Sequence, residues 1–299
     1  MFQDDLLKGQ VVLITGGGTG LGRAIAGQFI KYGAKVVLVG RRKNVLTDAA
    51  NNISRTRGDV LAVKCDVRYA DEIENTFAQV IAEFGKVDCL INNAAGNFVA
   101  PTHHLNSNAF KLIIDTVLMG SVNFSLTAGK HWIKQKEKGT ILNILTTYAN
   151  TGSAFVVPSA CAKAGVENMT KSLAAEWGKY GIRVIGIAPG PFPTEGAMRQ
   201  LRLNEDLFSN KNILEFVTER IPLGRFGKLD ELVNLAIFLV SPSAEFITGE
   251  VVRIDGGEIV NLSGEFCFLN GVTEDCWSRN KKLKRPRTQK EPVFNNSLK

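Results

Sequence analysis

Seven short runs rich in β-branched residues punctuate the chain, at 11–14, 35–39, 60–65, 87–91, 140–145, 183–187 and 251–254. Between them lie longer amphipathic stretches near 21–32, 70–84, 107–135, 158–179 and 228–240, whose apolar positions recur at helical spacing. Strands alternating with helices build βαβ units, so the expected fold is α/β, a single doubly wound parallel sheet with helices on both faces. The alternation breaks between 192 and 225, where Pro193 and Pro222 stand in a polar–apolar mixture. An insertion beyond the carboxyl end of a strand is the expected place for a substrate lid. No internal repeat, low-complexity segment or interior linker is visible, which predicts one domain over 1–272 and a basic, flexible tail over 273–299.

Composition changes this picture little, and charge changes it more. With 299 residues, 44% of them hydrophobic and 22% charged, the chain reads as an ordinary soluble globule able to bury one sizeable core. The formal net charge is +7, but from Arg279 to Lys299 eight basic residues face a single acid, Glu291. The tail therefore carries the whole excess, and a pI of 9.1 is no argument for a nucleic-acid-binding domain. Five cysteines, an odd number without a CxxC pair, fit free thiols in a reducing compartment. His103 and His104 have no carboxylate or cysteine at ligand spacing, so they read as a surface loop and no metal is expected. No apolar run is read as long enough to cross a membrane, and a strand opening at Val11 leaves no room for a signal or transit peptide.

Candidate chemistry begins where the first strand runs into Thr15-Gly16-Gly17-Gly18-Thr19-Gly20-Leu21-Gly22 and then a helix. Glycines let the backbone turn tightly and approach a pyrophosphate, whose charge meets amide N–H groups and the positive end of the helix dipole. Gly40 at the end of the second strand is followed by Arg41 and Arg42 rather than a carboxylate. Two guanidiniums suit a 2′-phosphate, so NADPH is favoured over NADH. Further on, Ser159 and Lys163 stand at i and i+4 on one helix and point into the same cleft.

The GxxxGxG spacing and the segments that follow it resemble the short-chain dehydrogenase/reductase family, whose domain has the Rossmann-like fold. That resemblance implies roles for residues along the chain. Asp66 and Val67 would meet the adenine, and Asn93 and Ala94 would let the adenosine lie against the strand ends. Pro189, Gly190, Pro191 and Phe192 with Thr194 would hold the nicotinamide. Lys163 would bind the nicotinamide ribose. In the family's common pattern a tyrosine precedes the lysine by four residues; here that position is Ser159, and the phenol, Tyr148, sits on the preceding loop. Thr146 takes the place of the family's assisting serine, and Val117 that of an asparagine in the central helix. A serine hydroxyl has too high a pKa to replace tyrosine as proton donor, which argues against ordinary ketone reduction.

From about Gly9 to Phe266 the resemblance narrows to 2,4-dienoyl-CoA reductase, mitochondrial type. It is carried by Asn92-Asn93-Ala94-Ala95-Gly96-Asn97-Phe98, Phe155-Val156-Val157-Pro158-Ser159 and Ser172-Leu173-Ala174-Ala175-Glu176-Trp177-Gly178. One departure is Met119, where that family has an asparagine. The resemblance implies NADPH-dependent reduction of a dienoyl thioester to a 3-enoyl-CoA in β-oxidation of unsaturated fatty acids. Tyr148 and Ser159 would hold the dienolate oxygen, with Asn97 orienting the phenol or the substrate. Arg68, Phe98 and Arg199 would contact the acyl-CoA, and a homotetramer would form through the helices at 107–135 and 158–179. Tyr148 has an alternative as a packed loop aromatic, and Ser159 as a helix cap. Another carbonyl or enoyl reductase of the same fold and a non-catalytic NADPH-binding scaffold stay open as alternative functions. The expected location is the mitochondrial matrix, as a mature chain, or the cytoplasm. The terminal Ser297-Leu298-Lys299 is not the SKL peroxisomal signal.

Overall fold

The computed structural model describes residues 2–54, 59–202, 213–264, 267–273, 275, 276 and 279, apart from the side chains at 199–202 and 268. Two units divide between Ile259 and Val260. The basic stretch after Arg279 lies outside the described residues, as does the middle of the segment expected to form a lid.

In the first unit, β1 (Val11–Thr15) is buried along its whole length, as a central parallel strand covered on both faces must be. Its β-branched residues fit a pleated, packed surface. α1 (Gly20–Lys31), β2 (Lys35–Gly40), α2 (Lys43–Ile53), β3 (Val60–Lys64), α3 (Ala70–Phe84) and β4 (Cys89–Asn92) complete the first half. The second half runs through α4 (Ser107–Ile113), a π-helical segment (Ile114–Met119) and α5 (Gly120–Gln135) to β5 (Gly139–Ile144). It ends with α6 (Val157–Trp177), β6 (Ile182–Pro189), α7 (Glu195–Arg202), α8 (Ile213–Glu219), α9 (Leu229–Val240) and β7 (Val251–Ile254).

Among the described residues the strands form one seven-stranded sheet in the order β3-β2-β1-β4-β5-β6-β7, with every pairing parallel. The chain winds outward in opposite directions from β1 and β4. A crevice therefore opens between their carboxyl ends, the usual ligand site of such sheets. One face is covered by α1, α2 and α9 through Ile25, Phe29, Leu46, Leu232 and Ile237. Phe77 of α3, Phe124 and Trp132 of α5 and Trp177 of α6 cover the other.

A chain of buried polar side chains fixes the second layer to the sheet. Asn92 Nδ2 donates to Asn143 Oδ1 at 2.8 Å and to Ser125 Oγ at 3.0 Å. Asn143 Nδ2 donates to Thr170 Oγ1 at 2.8 Å, and the Thr170 hydroxyl donates to the Val166 carbonyl at 2.8 Å. These contacts join β4, β5, α5 and α6.

Two sequence expectations need correction. The run Ser107–Gln135, 29 residues with a mean hydropathy of 1.4 in its most apolar window, is long and apolar enough to cross a membrane by length and composition. Here small residues on its inner face, Gly120, Ser121, Ser125, Ala128 and Gly129, are buried and bring α5 close to its neighbours. The same helix exposes Met119 and Leu126, so it is apolar on more than its core face. α2 went unseen because only Leu46 and Ala49 of its eleven residues are buried and Thr47, Asp48, Asn51 and Asn52 are weak helix formers. Tertiary packing makes that helix, not its propensity.

Gly22 sits where the first helix meets the glycine turn, and a Cβ there would lie 2.5 Å from Asn93 Nδ2 and 2.6 Å from the Gly16 carbonyl oxygen. Gly22→Ala is expected to lower unfolding free energy by about 1–3 kcal/mol, as overpacked sites do. Urea denaturation should show a lower midpoint at an unchanged m-value; an unaltered midpoint would mean that the turn moves aside freely.

Candidate active site

The site is built outward from the end of β1. Thr15 Oγ1 accepts the backbone N–H groups of Asn93 and Ala94, both at 3.0 Å. In return, Asn93 Nδ2 donates to the carbonyls of Thr15 at 2.9 Å and Gly16 at 3.2 Å. The Asn93 carboxamide thus braces the glycine turn that it borders. Gly16 and Gly20 have φ of +66° and +56°, and Gly17 lies where a Cβ would meet Leu38 at 2.9 Å. Those three positions need glycine for conformation or space.

Gly16, Gly18 and Thr19 border a hollow of about 160 Å³ together with Arg41, Arg42, Asp66, Val67 and Ala94. Both guanidinium-bearing residues are exposed. The Asp66 carboxylate accepts from Arg68 Nε at 2.9 Å and 3.1 Å, from Nη2 at 2.6 Å and from the Arg68 backbone N–H at 3.1 Å. Hydrogen bonding from Arg68 holds that carboxyl below its usual range. Thr116, on the π-helical segment, also borders the hollow. Nothing local in the sequence marks it, because a π-helical turn changes which side chains face inward.

A larger cleft of about 1120 Å³ brings Leu21, Asn97, Tyr148, Ser159 and Lys163 together with the Pro189–Phe192 segment and Thr194. Pro158 lies in the first turn of α6, where no N–H is needed. One turn separates Ser159 from Lys163, and both are buried, at 4% and 6% exposure. Tyr148 lies on the short helical turn after β5, and its hydroxyl is 3.3 Å from Ser159 Oγ. The Lys163 ammonium donates to the Ile144 carbonyl. Burial pulls its pKa from 10.5 down to about 8.

Of the residues named for substrate, Phe98 and Arg68 do not border this cleft. Phe98 is 38% exposed and does not line the cleft, whereas its neighbours Val99 and Ala100 do. Arg68 is engaged with Asp66 and lies over the Tyr69 ring. The Arg199 side chain lies outside the described residues. Val117 is fully buried against Ile113 and Ala162, while Met119 is 39% exposed. Sequence inspection missed Phe216 of α8 and the Arg220–Glu258 ion pair, Nη2 to Oε1 at 2.8 Å, all bordering the cleft. Desolvation raises the pKa of the buried Glu258 carboxyl. Its partner is 38 positions away, too distant for local pattern to reveal.

A family model described as Enoyl-(Acyl carrier protein) reductase matches residues 16–258, spanning the glycine turn, the cleft and the end of β7. The chain belongs to the short-chain dehydrogenase/reductase family. Among curated relatives of this reductase, "Probable 2,4-dienoyl-CoA reductase 3 [(3E)-enoyl-CoA-producing]" of Caenorhabditis elegans is 40% identical, over 97% of this chain and 94% of the relative. "Probable 2,4-dienoyl-CoA reductase [(2E)-enoyl-CoA-producing]" of Bacillus subtilis (strain 168) is also 40% identical, over 85% of this chain and 98% of the relative. A crystal structure of a short chain dehydrogenase from Bacillus anthracis str. 'Ames Ancestor' superposes with a TM-score of 0.77 at 41% identity, over 85% of this chain and 98% of that one. A single-substitution variant of actinorhodin polyketide ketoreductase, crystallised with NADPH, gives a TM-score of 0.79 at 28% identity, covering 86% of this chain and 99% of that one. The protein is thus an oxidoreductase that uses a nicotinamide cofactor.

Lys163 generates a prediction for the cofactor-free enzyme. An unfolded lysine stays protonated up to its pKa near 10.5, whereas the folded one loses its proton near 8. Between those values the unfolded state binds more protons, so this group makes stability rise with pH; below about 8 its burial cost is fully present. In urea melts at a series of pH values, Lys163→Met should remove that rise relative to the unmodified protein. Parallel pH profiles for the two proteins would show that the ammonium is solvated.

Proposed function

We propose that this enzyme uses NADPH to reduce 2,4-dienoyl-CoA to 3-enoyl-CoA in the β-oxidation of unsaturated fatty acids. The observation that carries this is the approach of Tyr148 to Ser159, 3.3 Å between hydroxyl oxygens, from a loop outside α6. Two hydroxyls from different elements converge in one cleft with a buried lysine behind them. Such a pair suits holding a charged oxygen better than protonating an alkoxide. The named relatives support the same substrate class.

The residues fit the cofactor. Gly16, Gly17 and Gly20 allow the tight turn that opens α1, and the hollow beside it is bordered by Arg41 and Arg42. Those arginines would receive a 2′-phosphate, Asp66 and Val67 the adenine, and Lys163 and the Pro189–Thr194 segment the nicotinamide ribose and ring. When bound, NADPH supplies the hydride. Reduction at C5 of the diene moves charge through the conjugated system onto the thioester oxygen. Tyr148 and Ser159 donate to that oxygen as the charge develops, and the nearby Lys163 ammonium favours the same charge. Asn97, on the facing loop, orients the phenol or the thioester. A proton then adds at C2, leaving the double bond at C3. The exposed apolar residues Met119 and Leu126 on the long helix support a homotetramer paired through that face.

Tyr148→Phe should lower the single-turnover rate of dienoyl-CoA reduction by about 10²–10³ while NADPH affinity holds. Ser159→Ala should cost less. Full hydride transfer in the Tyr148→Phe enzyme would sink this mechanism. Product analysis on the unmodified enzyme should find the double bond at C3; a C2 double bond would instead place it with the bacterial relative's named product.

Arg41→Ala should weaken NADPH binding at least about tenfold and NADH binding little, since one charge-assisted contact to phosphate is worth about 1.5–3 kcal/mol. Titration calorimetry with both nucleotides checks this. Equal affinity of the unmodified protein for the two would remove the basis for NADPH.

A further inference from the structure

Phe155 is unusual both in backbone and in side chain. Its φ is +64°, a left-handed conformation that bulky residues avoid. Lys136, the other non-glycine residue at positive φ among the described residues, caps the end of α5 in the ordinary left-handed manner. Phe155 caps no helix: it stands in the loop between Tyr148 and α6, three residues after Gly152, which already supplies a positive-φ turn. The conformation is held by a bond across the cleft mouth, Ala100 N–H donating to the Phe155 carbonyl at 2.9 Å. That bond ties the loop carrying Tyr148 to the loop carrying Asn97.

Phe155 lines this cleft yet is 56% exposed, and Val99, which also lines it, is 46% exposed. Phe216 of α8 adds a third exposed apolar side chain to the same lining, at 38%. Exposed apolar side chains gathered on the lining of a cleft mark contact with an apolar part of a ligand. Resting on the dienoyl-CoA reading above, we propose that Phe155 is a specificity-determining residue whose ring covers the alkyl chain beyond the conjugated thioester. The left-handed backbone and its Ala100 bond place the ring there. A substrate too short to reach it gains nothing from the contact, while a longer chain gains the burial of a large part of a phenyl ring.

The test compares Phe155→Ala and Phe155→Gly with the unmodified full chain, using 2,4-hexadienoyl-CoA and 2,4-decadienoyl-CoA with NADPH. Both variants should raise KM for decadienoyl-CoA roughly tenfold and KM for hexadienoyl-CoA less than about twofold, with NADPH affinity held. Thermal melts read the backbone separately. Glycine tolerates positive φ and alanine does not, so Phe155→Gly should melt above Phe155→Ala, the reverse of the order at ordinary positions. Equal KM changes for the two chain lengths, or alanine melting at or above glycine, would overturn the assignment. If the unmodified protein turns over neither dienoyl-CoA, the reductase reading fails by itself. Calorimetry with decanoyl-CoA in the presence of NADP⁺ then decides about Phe155. Binding that weakens in both variants supports the assignment, and equal heats in all three proteins, including none, refute it.

Discussion

Two buried asparagines hold the working parts of this enzyme in place. Asn92 ends β4, Asn143 lies in the adjacent β5, and between them they engage Ser125 of α5 and Thr170 of α6. Asn92 Oδ1 is itself buried without a partner among the described residues, a cost of about 1–3 kcal/mol, so the network fixes register at some expense of stability. Sliding or turning α6 would break the Asn143–Thr170 bond. The helix that carries Ser159 and Lys163 is therefore registered to the sheet by hydrogen bonds as well as by the packing of Trp177.

The parallel sheet does the rest of the positioning. All its strands end on the same edge, so the loops after β1, β4, β5 and β6 meet above it. Thr15 and Asn93 lock the first two of those loops together through four hydrogen bonds. Ala100 and Phe155 join the loops after β4 and β5 further out. A rigid base and a tied mouth enclose a cleft whose floor contains a partly destabilised cation, Lys163. On the proposal above, its buried ammonium would favour a negative charge formed beside it.

Much of the fold could be read locally. Each strand was visible as a β-branched run, most strongly in the central strands that are buried on both faces, and the observed strands match the expected ones to within a residue or two at their ends. The glycine turn was visible because its spacing reports a backbone requirement. Ser159 and Lys163 were visible as an i, i+4 pair for the same local reason. α2 was not, since few of its residues are buried, and neither was the π-helical segment that brings Thr116 to the hollow beside Arg41 and Asp66.

By itself the sequence determined the alternation of elements, the parallel sheet, the glycine turn after β1, and the family of chemistry to expect. Only the tertiary structure decided that the Tyr148 hydroxyl reaches Ser159, that Val99 and Ala100 rather than Phe98 border the cleft, and that Arg220 meets Glu258. Periodicity and turn chemistry are written in neighbouring residues, because they arise from backbone geometry a few residues long. Convergence in a cleft depends on where separate loops leave the sheet and how strain such as that at Phe155 is held, and those are properties of the assembled chain.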